Sequence, residues 1–298
     1  MRTFQRIIIA VMMLLPILIG VLISISPSSR NRASSIGSAT IKKVGLVKVE
    51  STIFSSYETV RQLRSFLEDN AIAGVLLRVD SPGGAVAPSQ EIFTEVMRFK
   101  KKKKPLVVSM GSMAASGGYY ISCPATKIFA DPGTFTGSIG VIISTPQYNE
   151  LGKKLGIEMR VMKAGKFKDI LSPYRKVTEP EHDLIQSVLD DTHDQFISDV
   201  AAARDLPYDT IKAVADGRIF TGRQALPKKL IDTLGGFEDA LHYLKSSVGL
   251  SQKAKVVERR DRLDLFNNWL SEEIVHIFPQ LIHFITPKGA LFLFTFNN

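Results

Sequence analysis

Cysteine is all but missing from this 298-residue chain. Cys123 stands alone, so no disulfide can form within the chain, and the count leaves the redox compartment open. It sits in an apolar run beside Pro124, where a thiol reads as a small buried hydrophobe rather than a nucleophile. The chain also lacks Cys-x-x-Cys and His-Glu-x-x-His, and its five histidines (His182, His193, His242, His276, His283) are scattered. No metal site and no cofactor is therefore expected. Gly-x-Gly-x-x-Gly is missing too, which argues against a dinucleotide fold. The formal net charge is +9, yet no zinc-finger or RNP pattern accompanies it. Nucleic acid is not expected as a partner.

What is abundant is apolar sequence. About 45% of the residues are hydrophobic, enough for a sizeable core. Ile7 to Ile25 is broken only by Pro16, Gly20 and Ser24. As a helix it would span about 28 Å, close to the hydrocarbon thickness of a bilayer. It has no polar face, and Ser24-Ile25-Ser26 is followed by Pro27, a poor context for signal cleavage. An uncleaved transmembrane anchor over 1–26 is expected, with membrane lipid as a partner. Arg2 and Arg6 before the run and Arg30, Arg32, Lys42 and Lys43 after it leave its orientation open. Residues 27–43 read as a linker rich in Ser, Asn and Gly.

Beyond the linker, short branched runs alternate with helical patterns. Strands are expected at Val44–Val49, Gly74–Asp80, Leu106–Met110, Lys127–Ala130, Ile139–Ile143 and Glu158–Met162. Helices are expected at Glu58–Leu67 and Ser89–Phe99. A longer one follows Thr178, with Glu181 closing a capping box. Its expected buried face is Leu184, Ile185, Val188, Leu189, Phe196, Ile197 and Val200. This alternation predicts an α/β fold with a largely parallel sheet. Lys100 to Lys104 is an unbroken lysine run. It reads as a solvated helix C-terminus or, more sharply, as a headgroup contact.

Three stretches carry chemistry. Met110 to Tyr120 places Ser116 before Gly117-Gly118 after the Leu106–Met110 strand, where a helix begins. The positive end of that helix would favour a developing alkoxide or oxyanion, although an ordinary cap or turn fits the same pattern. Asp80-Ser81-Pro82-Gly83-Gly84 can turn backbone N–H groups into an open cavity, as an oxyanion hole requires. A Pro-Gly turn explains it equally well. A serine nucleophile needs a base, and no histidine lies in a suitable context. A lysine kept neutral by burial is the other route. Lys163, Lys166 and Lys168 all qualify by position.

Taken together these stretches resemble serine peptidase family S49. The similarity rests on Asp80–Gly84, Ser112–Tyr120, Thr136–Val141, Lys168–Pro173, Ala215–Ala225 and Asp232–Gly236, in order along the chain. The resemblance implies that Ser116 is the nucleophile, Lys168 the general base and Ser138 the group that orients the lysine. The backbone amides of Gly84 and Gly117 would form the oxyanion hole. It implies a Clp protease/crotonase-like spiral of ββα units over 44–250; residues 251–298 are expected to form a C-terminal extension with an apolar tail. It further implies a ring-shaped homo-oligomer whose active sites are completed between subunits. The substrates would be remnant signal peptides and other apolar peptides, at the bacterial inner (cytoplasmic) membrane, with the single-pass chain's catalytic domain on the periplasmic side. Other membrane proteins are an alternative substrate class. An enoyl-CoA hydratase-like enzyme would share the fold but not need Ser116 with Lys168, and an inactive scaffold would have lost one of them.

Two segments depart from the pattern. Pro227 should shorten the helix after Thr221-Gly222-Arg223-Gln224-Ala225. The apolar tail Ile274–Phe296 is divided by Pro279 and Pro287 into pieces too short to span a membrane. It is expected to lie in the substrate groove of its own or a neighbouring subunit, or in the headgroup layer.

Overall fold

The computed structural model describes residues 42–259. The apolar run Ile7–Ile25 and the tail Ile274–Phe296 lie outside them. Among the described residues no helix is long and apolar enough to cross a membrane.

Three long strands form the centre: β1 (Lys43–Glu50), β2 (Ile72–Ser81) and β3 (Leu106–Ala115). They pair in parallel in the order β1-β2-β3, each crossing being made by a helix. The helices are α1 (Tyr57–Glu68) and α2 (Val86–Lys101). Side chains alternate across the sheet. Val47, Val49, Val75, Leu77 and Val79 join Leu63, Phe66, Ile92 and Val96 of α1 and α2 in one core. Val44, Leu46 and Leu76 face Ala240, Leu241 and Leu244 of α8 (Phe237–Ser247) in a second core. Strands covered on both faces read as nearly continuous apolar runs, which is why these were recognisable.

Strand β3 serves two neighbours. Its first half pairs with β4 (Lys127–Ala130) and its last residues with β5 (Phe135–Gly137). The fork sits at Gly111. Asp80 Oδ1 accepts the Met113 amide at 3.1 Å, while the β2–β3 register shifts between Val79 and Ser81. A methyl group at Gly111 would stand 2.5 Å from Asp80 Cγ, so only glycine leaves room for the carboxylate. Thr134 and Thr136 donate to the Gly111 and Ala114 carbonyls, both at 2.7 Å. β3 therefore does not end at Met110, as the break in its apolar pattern suggests, but runs five residues further as a polar-supported extension.

One long helix and several short elements complete the described body. α3 (Gly117–Ser122) follows β3, and α4 (Asn149–Lys154) lies in an exposed segment. α5 (Glu179–Arg204) begins at the expected capping box, and α6 (Tyr208–Lys212) follows it. β6 (Ile219–Thr221) is antiparallel to β5, and α7 (Gly222–Ala225) is a single turn that stops before Pro227, as expected. β7 (Thr233–Leu234) pairs with β4, and β8 (Val256–Glu258) closes against β1.

Three expectations are corrected. Ile139–Ile143 and Glu158–Met162 are not strands in this chain. Their composition suits a sheet, but no described strand lies beside them. Along α5 only the C-terminal half of the expected face is buried, at Phe196, Ile197 and Val200. Leu184 and Val188 are exposed and Ile185 and Leu189 only half-buried, because the described chain covers the first half of the helix chiefly at its first turn, where Arg175 meets the buried Glu181.

Candidate active site

The end of β3 delivers Ser116 into a tight corner. Its residue is 5% exposed, and its backbone takes φ +52° and ψ −120°, a conformation that a non-glycine residue seldom holds without support. The support is visible. The Ser116 amide donates to the Gly137 carbonyl at 2.8 Å, and its own carbonyl accepts from Tyr120 in α3 at 2.9 Å. Below it, Tyr120 packs between Phe93 and Phe196, at ring-centre distances of 4.7 and 4.8 Å. Burial, with Asp199 accepting from its hydroxyl, pushes the Tyr120 pKa far up, so it stays a neutral donor.

The loop after β2 closes over the same corner. Ile53 donates to the Gly83 carbonyl and accepts from Ala85, both at 2.8 Å, which turns the Gly84 N–H away from Ile53. Gly83 has φ +106°, and a methyl group there would stand 2.7 Å from the Gly117 nitrogen and 2.9 Å from Ser116 Cβ. A methyl on Gly117 would come within 3.2 Å of the Gly84 nitrogen. The two buried amides thus lie side by side next to Ser116, and neither finds an acceptor among the described residues. Buried N–H groups without a partner are uncommon. A pair converging beside a serine is what a developing oxyanion would need.

Ser138 lies next to this corner. It follows Gly137, is almost fully buried, has φ +51°, and donates its amide to the Arg218 carbonyl at 2.9 Å. A small pocket opens on the other side of Gly117, lined by Val86, Ser89, Gln90, Tyr120, Thr192 and Phe196. Its size suits a small apolar side chain. Sequence reading missed this pocket because its walls come from three helices that are distant in the chain.

Lys168 is not brought into the corner within one chain. It lies on an exposed turn, its amide donating to Gly165 at 3.2 Å, and no hydrogen bond links its side chain to Ser116 or Ser138 among the described residues. The neighbouring lysines differ from it. Lys163 is paired with Asp169 and donates to the Lys166 carbonyl at 2.9 Å, and Lys166 rests over the Phe167 ring at 5.0 Å. Lys168 has no side-chain partner among the described residues. Asp169, next in sequence, is turned away by Arg175 and Lys163, which hold its carboxyl far below the ordinary range. Arg175 also binds Glu181 at 2.7 Å and, with the Thr178 backbone, lowers that carboxyl to about 2.

The segment that carries Lys168 is unusual in its apolar exposure. Ile142, Leu151, Leu155, Ile157 and Val161 are all more than half exposed, and Met162 is wholly so. A patch of this kind marks an interaction surface more often than a monomer's own face.

Comparison with known proteins gives the chain's relatives. The model of peptidase family S49 matches residues 98–251. The Enterococcus faecium protein named "Putative signal peptide peptidase SppA" is 38% identical over 258 residues, covering 80% of this chain and 75% of its own. Protease 4 of Haemophilus influenzae is 32% identical over 83% of this chain but only 40% of its own length. The chloroplastic serine protease SPPA of Arabidopsis thaliana is 31% identical over 67% of this chain and 30% of its own.

Proposed function

The chain belongs to peptidase family S49 and is a serine protease, and on that premise we propose that it is a membrane-anchored endopeptidase with a Ser116–Lys168 dyad acting on remnant signal peptides. The observation that carries the proposal is the pair of unengaged amides, Gly84 and Gly117, beside a buried, conformationally strained Ser116.

In this reading a substrate lies extended along the corner, with a small apolar side chain in the pocket beside Gly117. Ser116 Oγ attacks the scissile carbonyl carbon while Lys168 Nζ takes the hydroxyl proton. The carbonyl oxygen gains charge and accepts from the amides of Gly84 and Gly117, which have no other acceptor among the described residues. Collapse breaks the C–N bond, the lysine returns its proton to the departing amine, and an acyl-serine remains. Water activated by the same lysine then releases the acid. Ser138 accepts from the lysine and fixes its approach.

Because Lys168 stands on an exposed, apolar-faced segment, the reading places that segment against a neighbouring copy. There Lys168 would enter the neighbour's corner, desolvated as a neutral base requires. This fits a closed homo-oligomeric ring and the Clp protease/crotonase-like spiral of ββα units. Ile7–Ile25 would anchor each chain in the bacterial cytoplasmic membrane with the catalytic domain on the periplasmic side. Signal-peptide cores, rich in Leu and Ala, match the small pocket. The test is labelling by a fluorophosphonate serine probe in detergent, with cleavage sites on apolar peptides mapped by mass spectrometry. Labelling should vanish in Ser116→Ala, and cleavage should fall after small apolar residues. Labelling that survives in Ser116→Ala, or equal cleavage of charged peptides, would sink the proposal.

A further inference from the structure

The lysine run is not uniform. Lys104 folds inward: its Nζ donates to the Phe66 and Asp69 carbonyls at 2.6 and 2.8 Å and ties off the C-terminus of α1. Lys100 does the same for α5, donating to the Ala203 carbonyl at 3.0 Å and to Asp205 at 3.2 Å. Lys101, Lys102 and Lys103 between them are exposed, with no ion-pair partner among the described residues.

The parallel ladder then gathers more positive charge at the same place. The starts of β1, β2, β3 and β8 lie on one edge of the sheet, tied by Lys43 N to Ala71 O, Val75 N to Pro105 O and Val44 N to Lys255 O. That edge adds Lys42, Lys43 and Lys255 to the three exposed lysines. Its acids are largely spent: Asp69 on Arg259, Asp205 on Lys100 and Asp232 on Arg204, leaving Glu68. Burial first, and then Lys102, Arg259 and Lys42 against the opposing pull of Asp69, lower the Lys104 pKa.

Ser116 and Gly84 lie at the opposite edge, where β3 and β2 end. The chain enters the described body at Lys42 on the basic edge and leaves it at Arg259, just past the three residues of β8. The apolar runs Ile7–Ile25 and Ile274–Phe296 are joined to these two points.

We propose that this lysine edge is a docking surface for anionic phospholipid headgroups, holding the catalytic edge away from the bilayer. Charge complementarity and the exit of both apolar flanks beside it favour a lipid surface over any other polyanion. The proposal rests on the anchored reading above, and its test separates the two. The full chain is labelled with a fluorophore at Asn70→Cys, an exposed site on the edge, and compared with Ser55→Cys at the far end of α1. Cys123, fully buried, escapes the label. Each is reconstituted into phosphatidylcholine vesicles with or without roughly 30 mol % phosphatidylglycerol, carrying a headgroup quencher.

The Asn70 label should be quenched more in the anionic vesicles and the Ser55 label should not. In Lys101→Gln/Lys102→Gln/Lys103→Gln the docked population should drop about fivefold per lysine. Salt near ~0.5 M should do the same. Equal quenching in both vesicles, or no change in the triple variant, overturns the proposal. So does a DNA duplex that binds the detergent-solubilised protein through these lysines while quenching stays indifferent to lipid charge. Extraction by alkaline carbonate reports the anchor alone. A chain released by carbonate yet still quenched in a charge-dependent way would refute the anchor and keep the docking surface.

Discussion

Residues 106–140 and residues 141–178 are neighbours in sequence and opposites in physics. The first stretch is mostly buried, and apart from the Gly117 amide its buried polar groups are largely engaged: the Met113 amide on Asp80, Thr134 and Thr136 on carbonyls, the Ser116 amide on Gly137. The second is almost entirely exposed, carries large apolar side chains outward and holds itself together through a few contacts. Among these are Arg175 with Asp169 and Glu181, and Tyr148 N on the Pro173 carbonyl at 2.6 Å. The proposed nucleophile belongs to the region that one chain can finish alone. The proposed base belongs to the region that one chain leaves unfinished. Strain at Ser116 can be stored only because its surroundings are over-determined. A lysine needs no such frame until it is desolvated.

The largest effect should come from the two proposed reactive groups. Ser116→Ala and Lys168→Ala should each lower kcat/KM by at least about 10³-fold. If the two regions meet only between copies, rings assembled from both variants together should regain part of the activity. Co-assembled rings that stay inactive would place both groups in one subunit and break the comparison.

Next comes packing. Gly111→Ala forces a methyl against Asp80 and should destabilise the fold by roughly 2–3 kcal/mol, read as a lowered denaturation midpoint. Met162→Ala, in the exposed stretch, should leave the unfolding of the single chain within about 0.5 kcal/mol. It should instead make activity depend more steeply on protein concentration. An unchanged concentration dependence would deny the exposed stretch its role as an interface.

A smaller effect is set by acid. The Asp169 and Glu181 carboxyls are depressed in the folded chain, chiefly by Arg175. Their stabilising contribution is complete above the unfolded carboxyl value near ~4 and is lost as pH falls through about 2 at Glu181. Hydrogen exchange should therefore rise in 141–178 before it rises in 106–140 as acid is added. Simultaneous loss would mean that the two regions unfold as one. The smallest effect is none at all. Burial holds the Cys123 thiol far above its ordinary pKa, so iodoacetamide at neutral pH should leave activity intact.

The same contrast decides how legible the sequence is. Val44–Val49, Gly74–Asp80 and Lys127–Ala130 are strands because the sheet covers them on both faces, and a doubly covered strand advertises itself as an apolar run. The extension of β3 past Met110 is hidden, since its support comes from Asp80 and two threonines rather than from apolar neighbours. Strands of two or three residues, such as β7, carry too little pattern to be seen. Ile139–Ile143 and Glu158–Met162 mislead in the other direction: an apolar, branched pattern reads as an element covered by neighbours, yet no described strand pairs with them. Leu184 and Val188 on α5 show the same thing in a helix. At the site, Ser116, Ser138, Gly84 and Gly117 gather at one corner, whereas residue type and position leave Lys163, Lys166 and Lys168 alike; only the family resemblance singles out Lys168, and the partners of Lys163 and Lys166 are visible only in the fold.

The closing strand β8 has a consequence for how the molecule is made. Lys48 of β1 and Glu258 beside it are paired across 210 residues of chain. During synthesis β1 emerges early, yet the outer margin of its ladder stays open until nearly the whole body has left the ribosome. An uncovered margin of that kind is a template for pairing with other nascent chains. Chains truncated before Val256 should accordingly aggregate even with the candidate corner complete, and β8 works as a safeguard of biogenesis more than as a pillar of the finished enzyme.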